Sequence, residues 1–185
     1  MSLSYCDAIR LHYIRAWSNE PIERRWREGP VDDLPPGFSV LEFSPSKSRR
    51  AWTYATCCMS QPEDSNAIEL HLLSPQQSDM HIELLTAVCH FHRTGSRLGL
   101  EHTINFGRPW LNGSRCTYGL VSLPYLDGPS LEDFRYEDNI ARCLWLIPIT
   151  QQERDFKVAN SMEALEQRLE HAKFDYLDIA RPSVV

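Results

Sequence analysis

The stretch Cys143-Leu144-Trp145-Leu146-Ile147-Pro148-Ile149-Thr150-Gln151-Gln152-Glu153 joins a strand to a helix within one short run. From Cys143 to Ile147 both sides of a period-two alternation are apolar, which predicts a strand covered on both faces at the centre of a sheet. Pro148 has no amide hydrogen to donate to a ladder, so the strand is expected to end there. Thr150 and Glu153 have the spacing of a capping box, in which hydroxyl and carboxylate satisfy the free amides of a helix start. A helix is therefore expected from Thr150.

Upstream, the same period-two signal appears at Phe38, Val40 and Leu41-Glu42-Phe43 and again over Ala51 to Met59, where neither face is charged. That second strand should pair with Ala67 to Leu73, whose Ile68, Leu70 and Leu72 form one face and Glu69 and His71 the other. Cys57 to Asp64 supplies the turn between them. Asp79 to Thr94 reverts to helical spacing, with Leu84, Leu85, Val88 and Phe91 on one stripe and Gly95 placed to stop it. Further strand-like segments fall at His102 to Phe106 and Gly119 to Leu123.

At the start of the chain, Tyr5, Ile9, Tyr13 and Ala16 give an amphipathic helix over Ser2 to Trp17. Gly29-Pro30 through Leu34-Pro35-Pro36-Gly37 reads as an extended connector, because proline fixes its own φ and drives the preceding residue out of helical geometry. Ser161 can cap a second helix after Thr150, with Met162, Leu165 and Leu169 on its buried side, before an irregular tail from Phe174 to Val185. Strands and helices mix without strict βαβ alternation. The expected class is α+β: a mixed, mainly antiparallel sheet with helices packed against it, in a single domain over 1–185. Within it, 1–37 holds the first helix and connector, 38–149 the sheet with its helix near 79–94, and 150–185 the last helices and the tail.

At 185 residues, with 42% hydrophobic and 24% charged residues, one core is expected and disorder is not. Asp7, Arg10 and Arg15 interrupt any apolar run near the first residue, so no export signal is read and the cytoplasm is the expected location. The longest strongly apolar run, Cys143 to Ile149, is too short to span a bilayer. The net charge of -6 opposes a nucleic-acid partner, since Arg24, Arg25 and Arg27 make too small a basic patch. Six cysteines scattered without a CxxC pair read as reduced thiols.

Sequences that carry common chemistry are missing. No lysine follows a glycine as a phosphate loop requires, and neither GxSxG, HExxH nor GxGxxG occurs. Cys89-His90-Phe91-His92 offers thiolate and imidazole three residues apart on a helix, yet no second ligand pair follows, so neither metal nor cofactor is expected. Glu69 with His71 and Glu101 with His102 could supply an acid and a base, but a solvated surface or a satisfied core histidine explains them as well, and no catalytic residue is assigned. The aromatic residues Trp110 and Tyr125 lie in Gly- and Pro-rich loops, Phe106-Gly107-Arg108-Pro109-Trp110-Leu111 and Leu123-Pro124-Tyr125-Leu126-Asp127-Gly128. Loops held in shape by such residues suit a partner-facing surface, so Trp110, Tyr125, Arg108 and Asp127 form the expected partner-binding set.

Leu34-Pro35-Pro36-Gly37, Trp52-Thr53-Tyr54-Ala55-Thr56 with Ala67-Ile68-Glu69-Leu70, Thr103-Ile104-Asn105-Phe106-Gly107 and Leu144-Trp145-Leu146-Ile147-Pro148-Ile149-Thr150 with Glu153 and Arg154 occur in one order. Together they resemble bacterial members of the suppressor of fused domain family, across nearly the whole chain to Arg181-Pro182-Ser183. The resemblance implies an α+β domain, no family-wide catalytic residues and a protein partner. For bacterial members it implies an immunity role, binding and neutralising a toxin domain. An enzyme with an unrecognised site, or a regulator that sequesters another partner, stands as the alternative.

Overall fold

The computed structural model describes residues 3–185. Helix α1 (Tyr5–Trp17) starts where the Ser4 hydroxyl accepts the Asp7 amide, and it buries Tyr5, Ile9, Tyr13 and Trp17. Trp17 takes the place expected for Ala16, because the buried stripe follows strict i, i+4 spacing. Ser2, the expected first residue of that helix, lies outside the described residues.

The sheet comprises β1 (Ile22–Arg24), β2 (Ser39–Phe43), β3 (Trp52–Cys57), β4 (Ile68–Ser74), β5 (Thr103–Asn105), β6 (Cys116–Ser122), β7 (Asp133–Tyr136) and β8 (Asn139–Thr150). Its order is β1-β2-β3-β4-β8-β6-β5, with β7 paired to β8. β4 and β8 run parallel, Leu70 opposite Leu144, and the other pairings are antiparallel. The mixed, mainly antiparallel α+β class is what the sequence pattern implied.

β8 is central, as its two apolar faces require, with β4 on one flank and β7 then β6 on the other. It does not stop at Pro148. Gly119 lies opposite that proline and the strand continues to Thr150, ending only at the capping box. β1 lies within the sequence between α1 and the connector, and the connector itself includes a 3₁₀ turn at Val31–Asp33. Three residues of strand and three of turn are too short to generate a readable period.

Alternation along β8 separates two layers. Leu144 and Leu146 meet Leu70, Leu72, Val121 and the apolar side of α2 (Asp79–Thr94), which carries Ile82, Leu85 and Val88. On the opposite face Ala141 and Cys143 lie under α1, while Trp145, Ile147 and Ile149 lie under the last helices. These are α4 (Gln151–Ala159) and α5 (Met162–His171), the latter packing Leu165 and Leu169 inward; α3 (Pro129–Glu132) is a single turn before β7. The capping box is formed as expected: Thr150 accepts the Glu153 amide at 3.2 Å and Glu153 accepts the Thr150 amide at 2.8 Å.

Two cysteines depart from the expectation of reduced thiols. Cys6 and Cys58 are joined in a disulfide, 52 residues apart in sequence. Cys58 is the first residue past β3 and adopts a left-handed φ of 63°, so it leaves the strand and meets α1. No local spacing announces such a pair. Cys57, Cys89, Cys116 and Cys143 are free and buried.

Candidate functional site

A cleft of about 490 Å³ opens where the face of β6 and β8 meets α5 and the chain after it. Leu120, Trp145 and Ile147 form the sheet side, and Met162 and Leu169 of α5 form the helix side. Phe174 and Tyr176 close one end, and Tyr176 meets the Trp145 ring edge-on with centroids 5.2 Å apart. The lip is made by Tyr125 and Leu126, which are 60% and 50% exposed, and by Glu166, Glu170 and Lys173. The Tyr125 hydroxyl donates to Glu166 at 2.9 Å. Partial desolvation of the Tyr125 hydroxyl, together with that hydrogen bond and the nearby carboxylates, raises its pKa.

The frame around this cleft is fixed from below. Glu153 is wholly buried, and Arg181 donates to both of its carboxylate oxygens, at 2.6 and 2.8 Å. Arg181 also donates to the Pro148 carbonyl at 3.0 Å, and the Val184 amide donates to Glu153 at 3.1 Å. The irregular tail is thus fastened to the start of α4. Burial alone would push the Glu153 carboxyl up, but the hydrogen bonds and charge of Arg181 hold it below its ordinary value.

Of the four residues expected to face a partner, the structure brings only Tyr125 to the cleft. Trp110 is a correction: it is 2% exposed, its indole N–H donates to Ser114 at 2.9 Å and its ring stacks on His81. It belongs to the core under α2, on the other face of the sheet from the cleft. Arg108 reaches α2 and donates to Glu83 at 2.6 Å. Asp127 turns inward, accepts the Trp17 indole N–H at 2.9 Å and pairs with Arg49, 3.9 Å from the His71 imidazole. Burial raises its carboxyl against the pull of Arg49. Its role is to tie the turn that bears Tyr125 and Leu126 to α1.

The turn bearing Tyr125 was legible in the sequence, but α5 and the tail as its neighbours across the cleft were not. Met162, Leu165 and Leu169 were legible as a buried stripe, but nothing in a linear pattern shows that Met162 and Leu169 also border an opening.

Cys89, His92, Glu69 and His71 resolve into core chemistry, whereas Glu101 and His102 are exposed. Cys89 is buried, and the His92 Nδ1 atom accepts the Leu98 amide at 2.9 Å. Burial and the Arg97 and Arg93 charges push His92 down to about 4. Among the described residues no group of three or more His, Cys, Asp or Glu side chains is placed to hold a metal ion. Glu69 and His71 do not meet as acid and base. Glu69 accepts the Thr56 and Ser60 hydroxyls and the Met59 and Ser60 amides, whereas His71 lies against Trp17. No described helix is long and apolar enough to cross a membrane.

Residues 35–182 match the family model described as Suppressor of fused protein (SUFU). The chain is similar to the crystal structure of a SUFU homologue from Neisseria gonorrhoeae FA 1090, with 33% identity and a TM-score of 0.86, over 98% of this chain and 97% of that one. A chain of the solved Sufu–Fu complex has the same fold at 14% identity, with a TM-score of 0.72 over 97% of this chain and 92% of that one. Drosophila Suppressor of Fused gives 14% and 0.69, over 97% of this chain and 51% of that one. No curated protein matches the chain.

Proposed function

The chain belongs to the suppressor of fused family, and on that premise we propose that it is a non-enzymatic protein-binding domain whose partner seats at the Tyr125 cleft. The observation that carries this is the lip of the cleft, where Tyr125 and Leu126 stand exposed beside an apolar floor. Tyrosine at such a place supplies large contact area and a polar tip at low entropic cost, which is why it is enriched at binding hot spots. The floor is two sheet strands and a capped helix, so little ordering is required when a partner arrives.

The lip carries two glutamates against one lysine, in a chain of net charge -6. A basic partner would associate faster with such a surface than an acidic one. The finer reading is a bacterial immunity protein acting in the cytoplasm, whose partner is a toxin domain. No catalytic step is assigned to it.

The test is co-expression of this chain with the terminal domain of any exported, modular protein that a neighbouring gene proves to encode. Growth should be blocked by that domain alone and restored by the pair, and Tyr125→Ala with Leu126→Ser should weaken the rescue. Equal growth arrest with and without this chain would refute immunity for that pair. A complex that forms and survives both substitutions would refute the cleft as the binding face.

A further inference from the structure

We propose that Cys6 and Cys58 form a redox-modification site, a reversible covalent strap whose state sets how firmly the first turn of α1 is held against the sheet. Cys6 lies in the first turn of α1 and Cys58 just past β3, so their bond crosses from one layer to the other. The chain is shaped around the sulfur. At Gly37, φ is +78° and a Cβ atom would lie 2.6 Å from the Cys6 Sγ, so only glycine leaves the bond its room.

The other thiols are kept out of this chemistry. Burial, with the Glu69 charge added, raises the Cys57, Cys89 and Cys143 thiols far above their ordinary value, and burial raises Cys116. The attacking and attacked species in exchange are thiolate and accessible sulfur, and these four offer neither. Cys57 is next to Cys58 in sequence, yet its thiol donates to the Cys6 carbonyl at 3.3 Å and stays free. Cys6 is the one cysteine of the six that is not buried, so it is the point of entry.

Opening proceeds by exchange with a dithiol. A reductant thiolate attacks the Cys6 sulfur, the Cys6–Cys58 bond breaks, and its electron pair leaves on the Cys58 sulfur, which takes a proton. The second reductant thiol then displaces Cys6, which is protonated in turn. Two electrons and two protons pass to the chain, and the reductant departs as a disulfide. A small-molecule disulfide such as oxidised glutathione closes the strap by the reverse sequence. What the strap holds is visible beside it: the Tyr5 hydroxyl lies 2.8 Å from the Ser60 hydroxyl, which donates to Glu69.

The experiment treats the folded full chain with dithiothreitol and then iodoacetamide, without denaturant. Alkylation is expected at Cys6, the one cysteine that is not buried, and not at Cys57, Cys89, Cys116 or Cys143. The melting temperature should fall on the order of 10 °C, as loss of a cross-link over a loop this long implies. Amide hydrogen exchange should quicken over residues 5–17 and 58–60 in the reduced, unalkylated chain, and oxidised glutathione added before iodoacetamide should restore the melting temperature and the exchange pattern and prevent the alkylation. Cys58→Ser should melt like the reduced chain and ignore dithiothreitol; if it does not fold, the reduced and oxidised wild type decide. Six thiols titrating in the unreduced, unfolded chain would overturn the proposal. So would a melting temperature and exchange pattern indifferent to reduction, or alkylation spreading equally to Cys57, Cys89, Cys116 and Cys143.

Discussion

Arg181 and Glu153 face each other from the tail and the first turn of α4, sharing two hydrogen bonds at 2.6 and 2.8 Å in the interior. Arg181 is 5% exposed and Glu153 not at all. The pair therefore has no solvent to fall back on, and it holds both the helix start and the tail that closes the cleft.

Arg181→Ala should cost about 3–5 kcal/mol, the usual penalty for leaving a buried charge without its partner. Urea unfolding of variant and wild type measures it. Arg181→Met combined with Glu153→Gln should recover part of the loss, because no bare charge remains. A single variant as stable as wild type would show that the tail is not needed for the fold.

Trp110 and Tyr125 should now separate cleanly. Trp110→Ala removes a buried ring and should destabilise by about 3–5 kcal/mol, whatever it does to binding. Tyr125→Ala should leave stability within about 0.5 kcal/mol and, if the cleft is the partner site, weaken binding by more than about 1 kcal/mol. Thermal melts paired with calorimetric titration of the partner distinguish the two.

Acid should destabilise the chain through three histidines. Burial, with Arg49 near His71, Arg108 near His81 and Arg97 near His92, pushes their pKa values from 6.5 down to about 3, about 3 and about 4. The folded chain keeps these rings neutral at a pH where the unfolded chain binds protons. Stability is therefore lost as pH falls from about 6.5 toward 3. Urea midpoints at pH 7 and pH 5 should differ in that sense, and His81→Gln should reduce the difference.

Glu69 works in the opposite direction. Burial raises its carboxyl from 4.5 to about 7, although the Ser60 and Thr56 hydroxyls and the Ser60 and Met59 amides pull it down. Between those values the folded chain holds a proton that the unfolded chain has released, so this group alone makes stability fall as pH rises. Glu69→Gln should remove that opposing slope and steepen the acid dependence between pH 5 and 7. It should also lower stability at every pH, by about 1–3 kcal/mol, because the amide turns a donor toward groups that already donate. An unchanged slope would mean that Glu69 ionises at its ordinary pH.

Much of the fold was legible because its long elements carry strong periods. Asp79 to Thr94 is a helix with the boundaries its stripe implied, and the capping box at Thr150 and Glu153 begins α4 where expected. What escaped depends on distance. Arg181 finds Glu153 across 28 residues, and Cys6 finds Cys58 across 52, with no repeat or motif to announce either. The site was half legible for the same reason. The turn around Tyr125 shows its exposure through Pro124 and Gly128, whereas Trp110, in an equally Gly- and Pro-rich loop, folds inward to meet His81 and Ser114.

The parallel pairing of β4 with β8 has a consequence for how quickly the chain reaches this structure. β1 to β4 form successive antiparallel neighbours that can zip together from nearby turns. Leu70 meets Leu144 only after the whole intervening chain, with α2, β5, β6 and β7, has been gathered in. Closing so long a loop costs entropy before any contact repays it, which places the kinetic barrier at the arrival of β8 and puts folding in the slower, millisecond-to-second range of domains ruled by non-local strands.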